Sequence, residues 1–468
     1  MAKRWMGVAL LAGWLGVSAS ARAQYPMPPG AAGPGYPYPP PPADAGNFPP
    51  GYGPPPGYGP PPGYGEGPPP GPPGAAGGPS AAPPVDGPLP PTECLPPNGF
   101  SCLHPELVRP SPHFYLQADY LLWWVRKAEV PPLVTMGSLN DMTPGALGQP
   151  NTVALIGPGP LDQSEQSGVR VTALYWFDQD HTWGVEATGF WLANSSVSQG
   201  ISGDGNTSTT VIARPFLNAN TLNRDADPIV VPNVQSGSLN VTMKRQFLGA
   251  EANLRLSECT DITPFSRFSC LAGVRYLSLN EKLQIAEQVT DLPDSDGNPG
   301  NSALLNDNFL TYNRFYGAQV GLEAESRVGP VVFTLAGKVA VGDNNQVVKI
   351  NGVTVITEPD GVVTTDATRG LLTQPTNVGR FSRNKIAVVP EADVGLALEF
   401  NEHLRVSVGY NFLFWTDVLR PGDQIDPVVN VGPVGFPGVL GSSPHPAVPF
   451  HTSGFWAQGF IAGLQVSY

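Results

Sequence analysis

An antiparallel transmembrane β-barrel of about ten strands is the fold this sequence predicts, on three observations. The chain opens with an export leader, yet no later apolar run approaches the roughly 20 residues of a membrane helix. From residue 114 onward, segments that alternate apolar and polar at period two recur to the last residue. The connections between them alternate short and long, as the periplasmic turns and outer loops of membrane barrels do.

The leader comes first. Lys3 and Arg4 precede an apolar run over residues 6–17, and Ala21-Arg22-Ala23 offers a cleavage site. This is the pattern of a secretory signal peptide over residues 1–23, with a mature chain expected to begin at Gln24. No cysteine follows the cleavage site, which argues against a lipoprotein anchor. Of 468 residues, 55 are Gly and 56 Pro, far above ordinary usage, and most of the excess lies in residues 24–112. There the unit Gly-Tyr-Gly-Pro-Pro-Pro repeats from Gly51 and Gly57, with a degraded copy from Gly63. Proline removes backbone donors and glycine raises chain entropy, so this arm is expected to be disordered, with stretches of polyproline II. It reads as a passive spacer, or as a periplasmic arm touching the cell wall.

Four cysteines in an exported chain suggest two local disulfides, Cys94 with Cys102 and Cys259 with Cys270, with free thiols as the alternative. The formal net charge is −13; losing Lys3, Arg4 and Arg22 with the leader leaves 22 basic residues against 38 acidic. That balance argues against a nucleic-acid partner, which needs a basic footprint. A pore with this balance favours cations.

The ordered domain is expected over residues 113–468. Its first strand, residues 114–125, is dense in aromatics and breaks at Pro131-Pro132. The run Tyr120-Leu-Leu-Trp-Trp124, followed by Pro131-Pro-Leu-Val-Thr-Met-Gly137, resembles the opening of a planctomycete family of outer-membrane beta-barrel porins. The resemblance extends from about residue 114 to the C-terminus and implies a porin-like barrel. That family has no assigned functional residues to carry over.

Further strands are read at 168–177, 182–193, 241–256, 268–279, 309–325, 331–341, 385–400 and 404–415. The cleanest sets Leu404, Val406, Val408, Tyr410, Phe412 and Phe414 against Arg405, Ser407, Gly409 and Asn411. The last strand, residues 453–468, places Trp456, Phe460, Ala462, Leu464, Val466 and Tyr468 on one face. The other face is mostly small or polar, broken by Phe455 and Ile461. Its ending, with Gly463, Val466 and the terminal aromatic Tyr468, resembles the assembly signal read by the outer-membrane barrel-assembly machinery. Short connections fall near 178–181, 257–267, 327–330 and 401–403, and long ones at 126–167, 194–240, 280–308, 342–384 and 417–452.

This topology turns Glu186, Glu251, Arg255, Arg275, Glu323, Glu325, Lys338, Glu391, Asp393, Glu399 and Arg405 inward, because in lipid each charge costs several kcal/mol. Two readings stay open: a charged pore lining that sets ion selectivity, and a salt-bridge network that fills a narrow barrel. The last outer loop holds Asp417, Asp423, Asp426, His445, His451, Ser442, Ser443 and Ser453, residue types that an outer-rim hydrolase would use. The run from Asp294 to Gly300 lacks the sixth-position glycine of a calcium loop and has Leu305 in place of its closing glutamate, so a solvated turn is expected. His181 and His403 are expected on turn surfaces. No catalytic site, metal or cofactor is expected. Membrane lipids are the expected partners, and the functional expectation is a passive, mildly cation-preferring outer-membrane channel, with a closed structural barrel as the alternative.

Overall fold

In the computed structural model, residues 112–161, 164–206, 209–259, 265–431 and 443–468 are described. The leader, the Pro/Gly-rich arm through residue 111, and Cys94 and Cys102 lie outside them. Ten strands close one barrel: β1 Phe114–Val125, β2 Glu165–Trp176, β3 Trp183–Leu192, β4 Gln235–Cys259, β5 Arg267–Asp291, β6 Ser302–Val328, β7 Val331–Thr357, β8 Gly379–Asn401, β9 Leu404–Leu419 and β10 Thr452–Ser467. Each is antiparallel to its sequence neighbours. β10 returns to pair with β1 from Tyr115↔Ser467 to Val125↔Ala457. The seam is sewn to its end, Phe114 N–H donating to Tyr468 O at 3.1 Å and Tyr468 N–H to Phe114 O at 2.9 Å. Closure leaves no sheet edge in the hydrocarbon, where an unpaired backbone group has no water to turn to.

The alternation does what the patterning implies. Leu116, Tyr120, Val169, Val171, Leu254, Val274, Val320, Leu322, Leu396, Val408, Phe460 and Leu464 are exposed on the outer surface. An uncharged apolar belt of this kind is a lipid face. Aromatics lie along it at both borders, including Phe177, Trp183, Phe400 and Tyr468 near the short turns and Tyr276 and Tyr316, rings 5.0 Å apart, toward the long loops.

Two features exceed the expectation. β4 to β7 run 25 to 27 residues each and β8 runs 23, whereas about 9–11 suffice to cross a bilayer. These strands form a wall beyond the membrane, past the point where lipid imposes a strict alternation. Against it the long loops fold into structure of their own. Val134–Ser138, Val153–Ile156, Thr210–Asn218, Arg224–Val230 and Val428–Val429 make a five-stranded sheet. Its core, with Leu133, Val134, Phe216, Ile229 and Val429, is shared with Leu283, Phe309 and Ile350 of the wall.

Two expectations are corrected. Cys270 is a free, exposed thiol. Its register partners are Leu256 and Leu322, while Cys259 stands opposite Arg267, so the Cys259–Cys270 bridge is not formed. His181 is buried: its ring stacks on Trp176 at 5.3 Å and meets Tyr115 edge-on at 5.8 Å. His403 is exposed, as expected.

If the apolar belt is the lipid face, Val320→Arg costs about 2–4 kcal/mol in reversible urea unfolding from lipid vesicles. Val320→Ala, which adds no charge, shifts the midpoint far less. Equal effects of the two would remove Val320 from the membrane.

Candidate functional site

The lumen is layered along its length. At the short-turn end lies a cavity of about 1160 Å³ lined by Glu251, Arg255, Arg275, Glu323, Glu325, Lys338, Glu391, Asp393, Glu399 and Arg405, together with Glu186. The inward-facing charges expected from the sequence therefore share one chamber. They are joined in pairs, many of them across strands that are not neighbours. Lys338 on β7 reaches Glu251 on β4 at 2.5 Å, and Arg275 on β5 joins Glu251 to Glu391 on β8. Arg255 on β4 bridges Glu186 at 3.4 Å and Glu323 at 2.5 Å. Arg405 on β9 meets Glu325 on β6 at 3.4 Å, and Arg327 meets Glu399 at the rim at 2.7 Å.

Besides Arg327, three further members escaped the sequence reading. Arg170 on β2 donates to Asp119 on β1 at 2.8 Å and reaches Asp393 on β8 at 3.4 Å. Asn411 donates to Glu391 and Asp393, each at 2.8 Å. Arg170 lies between Val169 and Val171 and Asn411 between Tyr410 and Phe412, so the alternation that marked the other residues marks these as well. Gly463 stands opposite Asp119, and a Cβ there would overlap the Asp119 carboxylate. The glycine of the terminal motif thus has a local reason: it makes room for the Arg170 pair. Val466 pairs with Leu116 and Leu404 across the seam, and Tyr468 is exposed at the turn-end border.

Above the chamber the lumen is apolar. Trp123, Phe247, Phe315, Trp415 and Phe455 are at most 1% exposed and form one cluster with Leu121, Leu277, Leu279, Leu413, Val389 and Ile461. Rings touch in series from Trp123 to Phe190 at 5.3 Å, Phe190 to Phe247 at 5.1 Å, and Phe247 to Phe455 at 5.1 Å. The last contact joins β4 to β10, four strands away around the barrel. The rings and aliphatic side chains form a septum. A ten-stranded barrel is narrow enough for inward side chains to meet across it, and here they do. Phe455 and Ile461, the two breaks in the polar face of the last strand, are part of this septum.

A third layer holds the last loop in the outer lumen. Trp415 is followed by a bulge with Asp417 at φ 55, a left-handed conformation open to Asp more than to most residues. Beyond it Val418 and Leu419 are both buried, so the chain turns inward. Asn313 grips Leu419 as a backbone strand would, donating to its O at 2.9 Å and accepting its N–H at 2.8 Å. Asn344 donates to Asp417 O at 2.9 Å, and Gln346 donates to the same atom. Arg420 chelates Glu281 of β5 at 2.6 and 2.9 Å, and Arg245 of β4 donates to the same carboxylate at 3.0 Å. Farther out, Arg214 of the five-stranded sheet binds Glu287 at 2.9 Å and Asp307 at 2.6 Å. Asp307 in turn accepts from Leu372 N–H, Thr373 N–H and the Thr373 hydroxyl, docking the loop between β7 and β8.

The hydrolase residues of the last loop separate into twos. Asp426 meets His445 Nδ1 at 2.7 Å, and Ser453 donates to Asp423 at 3.1 Å. Asp417 holds Lys385 at 2.5 Å, His451 contributes its backbone carbonyl to Gln424, Ser443 accepts from Asn430 through its carbonyl, and Ser442 lies outside the described residues. No group of three His, Cys, Asp or Glu arranged to hold a metal occurs among the described residues. Asp294 accepts from the N–H groups of Asp296 and Asn298 and from the Asn298 amide, all at 2.9 Å, and the Asn298 bonds hold its carboxyl below the usual range. This is a turn whose acceptors serve its own backbone.

Residues 115–468 match the family model described as Putative beta barrel porin-7. The chain belongs to this family of porin-like β-barrels. No curated protein matches it. Among solved structures, the outer membrane protease OmpT from Escherichia coli is 8% identical over 77% of this chain and 97% of its own, with a TM-score of 0.29. The CymD monoaromatic hydrocarbon channel is 8% identical over 76% and 89%, at 0.16. A Pseudomonas aeruginosa FadL homologue is 9% identical over 76% and 90%, at 0.20. At these scores the likenesses carry no argument about what this chain transports or cleaves.

Arg420→Ala leaves a buried carboxylate with one partner removed, and the expected loss is about 3–5 kcal/mol in urea unfolding. Limited proteolysis is expected to cut within residues 420–451 in the variant before the wild type; identical digestion would mean the latch does not hold the loop. At the turn end, burial and then Arg267 push the His181 imidazole below its ordinary value. The neutral ring is therefore the one the fold favours, and its stabilisation is intact above the unfolded value near 6.5 and lost as pH falls from there. The stability gap between wild type and His181→Gln is expected to shrink between pH 7 and pH 5; a constant gap would contradict it.

Proposed function

We propose that this protein is a gated, porin-like channel of the outer membrane, closed at rest, rather than a passively open pore. The observation that carries this reading is the septum: five aromatic side chains at most 1% exposed lie across the lumen above a charged chamber. A passive channel needs a continuous polar path, and an apolar constriction of this kind gates by excluding water.

Opening requires the septum to part and the described parts of the last loop, residues 420–431 and 443–451, to leave the outer lumen. Support for a second arrangement comes from polar atoms in the closed one. The indole N–H groups of Trp123 and Trp415 are buried in the apolar layer, with no acceptor among the described residues. A wetted lumen would supply one. The loop is also held by hydrogen bonds and a salt bridge, contacts that water can replace. When open, the path runs through the chamber, where acidic side chains outnumber basic ones ten to seven, so passage is biased toward cations.

A second reading has its own support. Ion pairs that cross the lumen resemble struts, and a permanently closed barrel could anchor the membrane, with the arm over residues 24–112 reaching the cell wall. In either case Gly463, Val466 and Tyr468 are the residues we assign to recognition by the barrel-assembly machinery.

Planar-bilayer recording in a potassium chloride gradient separates the readings. The wild type is expected to be silent or to open rarely, while Phe315→Ala combined with Trp415→Ala opens frequently, with a reversal potential favouring potassium. Continuous wild-type conductance would return the passive pore. Silence from variant barrels shown folded by heat-shifted gel mobility would establish the closed structural barrel instead.

A further inference from the structure

The outer wall beyond the lipid belt carries a basic row that no described residue neutralises. Register places Lys244 of β4 opposite Lys282 of β5, Lys282 opposite Leu310 of β6, Leu310 opposite Lys349 of β7, and Lys349 opposite Arg380 of β8. All four cations point outward, each flanked along its strand by residues turned to the interior, such as Met243 and Arg245, Glu281 and Leu283, or Val348 and Ile350. Arg314 of β6 faces the same way, one outward position beyond Tyr316. None of the five makes an ion pair among the described residues, whereas the inward cations Arg170, Arg214, Arg245, Arg255, Arg275, Lys338, Arg405 and Arg420 all do.

This arrangement needs an explanation, because it is costly and runs against the composition. The chain is acidic, with a net charge of −13. Like charges directly opposed on neighbouring strands are destabilising, yet Lys244 and Lys282 are so placed. Asp343, the outward acid level with Tyr316, pairs with none of the five. We propose that this face binds a phosphorylated saccharide headgroup of a lipid seated in the outer leaflet.

Two features select that ligand. One is position: the row is on the lipid-facing side of the wall, directly above the Tyr276–Tyr316 border, so an occupant rooted in the membrane meets it edge-on. The other is height. Tyr276 and Lys282 are six residues apart on β5, about 20 Å along a strand and about 15 Å along the membrane normal at the usual barrel tilt. The polar zone of a phospholipid leaflet is only about 5–8 Å deep. A glycerophospholipid phosphate can reach Arg314 but not the lysine row; a lipid whose phosphates are carried on an extended saccharide reaches both. The row is about 19 Å wide over four strand spacings, room for more than one phosphate.

The test uses the mature full-length chain, refolded in detergent micelles and titrated with lipopolysaccharide carrying core phosphates, with the same material after dephosphorylation, and with phosphatidylglycerol. At about 1 kcal/mol for each basic residue near an anionic surface, Lys244→Gln/Lys282→Gln/Lys349→Gln is expected to weaken binding of the phosphorylated glycolipid about 10- to 100-fold. Dephosphorylated material should bind wild type and variant alike. Equal binding of the phosphorylated form by both proteins overturns the proposal, and so does phosphatidylglycerol binding as tight as the glycolipid's. Should the triple variant fail to refold, Lys282→Gln alone, which relieves the opposition to Lys244, is expected to fold normally and still lose severalfold in affinity; unchanged affinity in it overturns the proposal equally.

Discussion

The structure depends on closing a sheet upon itself where no water is available to backbone groups. Pairing of β1 with β10 satisfies that demand and divides every strand into an outward and an inward face. The outward face must then be apolar, because its solvent is lipid. The inward face is released from that demand, and the chain uses the freedom differently at each depth: paired charges, then rings, then amides and a salt bridge that hold an inserted loop. The layers are alternative ways of filling one narrow cylinder.

Narrowness also explains why charge alone could not decide between a pore and a plug. In a wide barrel, Glu251 and Lys338 would face a column of water. Here β4 and β7 are close enough for them to touch, and Arg275 joins Glu251 to Glu391. Each buried pair is a compromise, since lost hydration offsets most of the mutual attraction. Their geometric role is clearer than their energetic one: they fix the spacing between opposite walls.

The lipid face, the strand number and the inward charges were legible because lipid enforces the alternation, residue by residue, from Leu404 to Phe414 or from Tyr316 to Leu322. The septum was less so. In the stretch Leu121-Leu-Trp-Trp-Val125 both faces are apolar, so the alternation vanishes where the interior becomes dry. Phe455 and Ile461 were visible as exceptions on an otherwise polar face, and exceptions of that kind are the signal an apolar lumen leaves. The extensions of β4 to β8 were invisible for the opposite reason: beyond the bilayer neither face meets lipid, and residues such as 235–240 lose their period. The five-stranded sheet has no local signature at all, since its strands come from three different loops and its pairing is decided by docking.

One consequence follows from where the septum's rings reside. Trp123 belongs to the first strand of the barrel, while Phe455 and Ile461 belong to the last. A chain whose final strand is not yet in place lacks part of its stopper as well as its closing hydrogen bonds. An unfinished barrel is thus both unzipped and leaky, and completeness and tightness arrive in the same event.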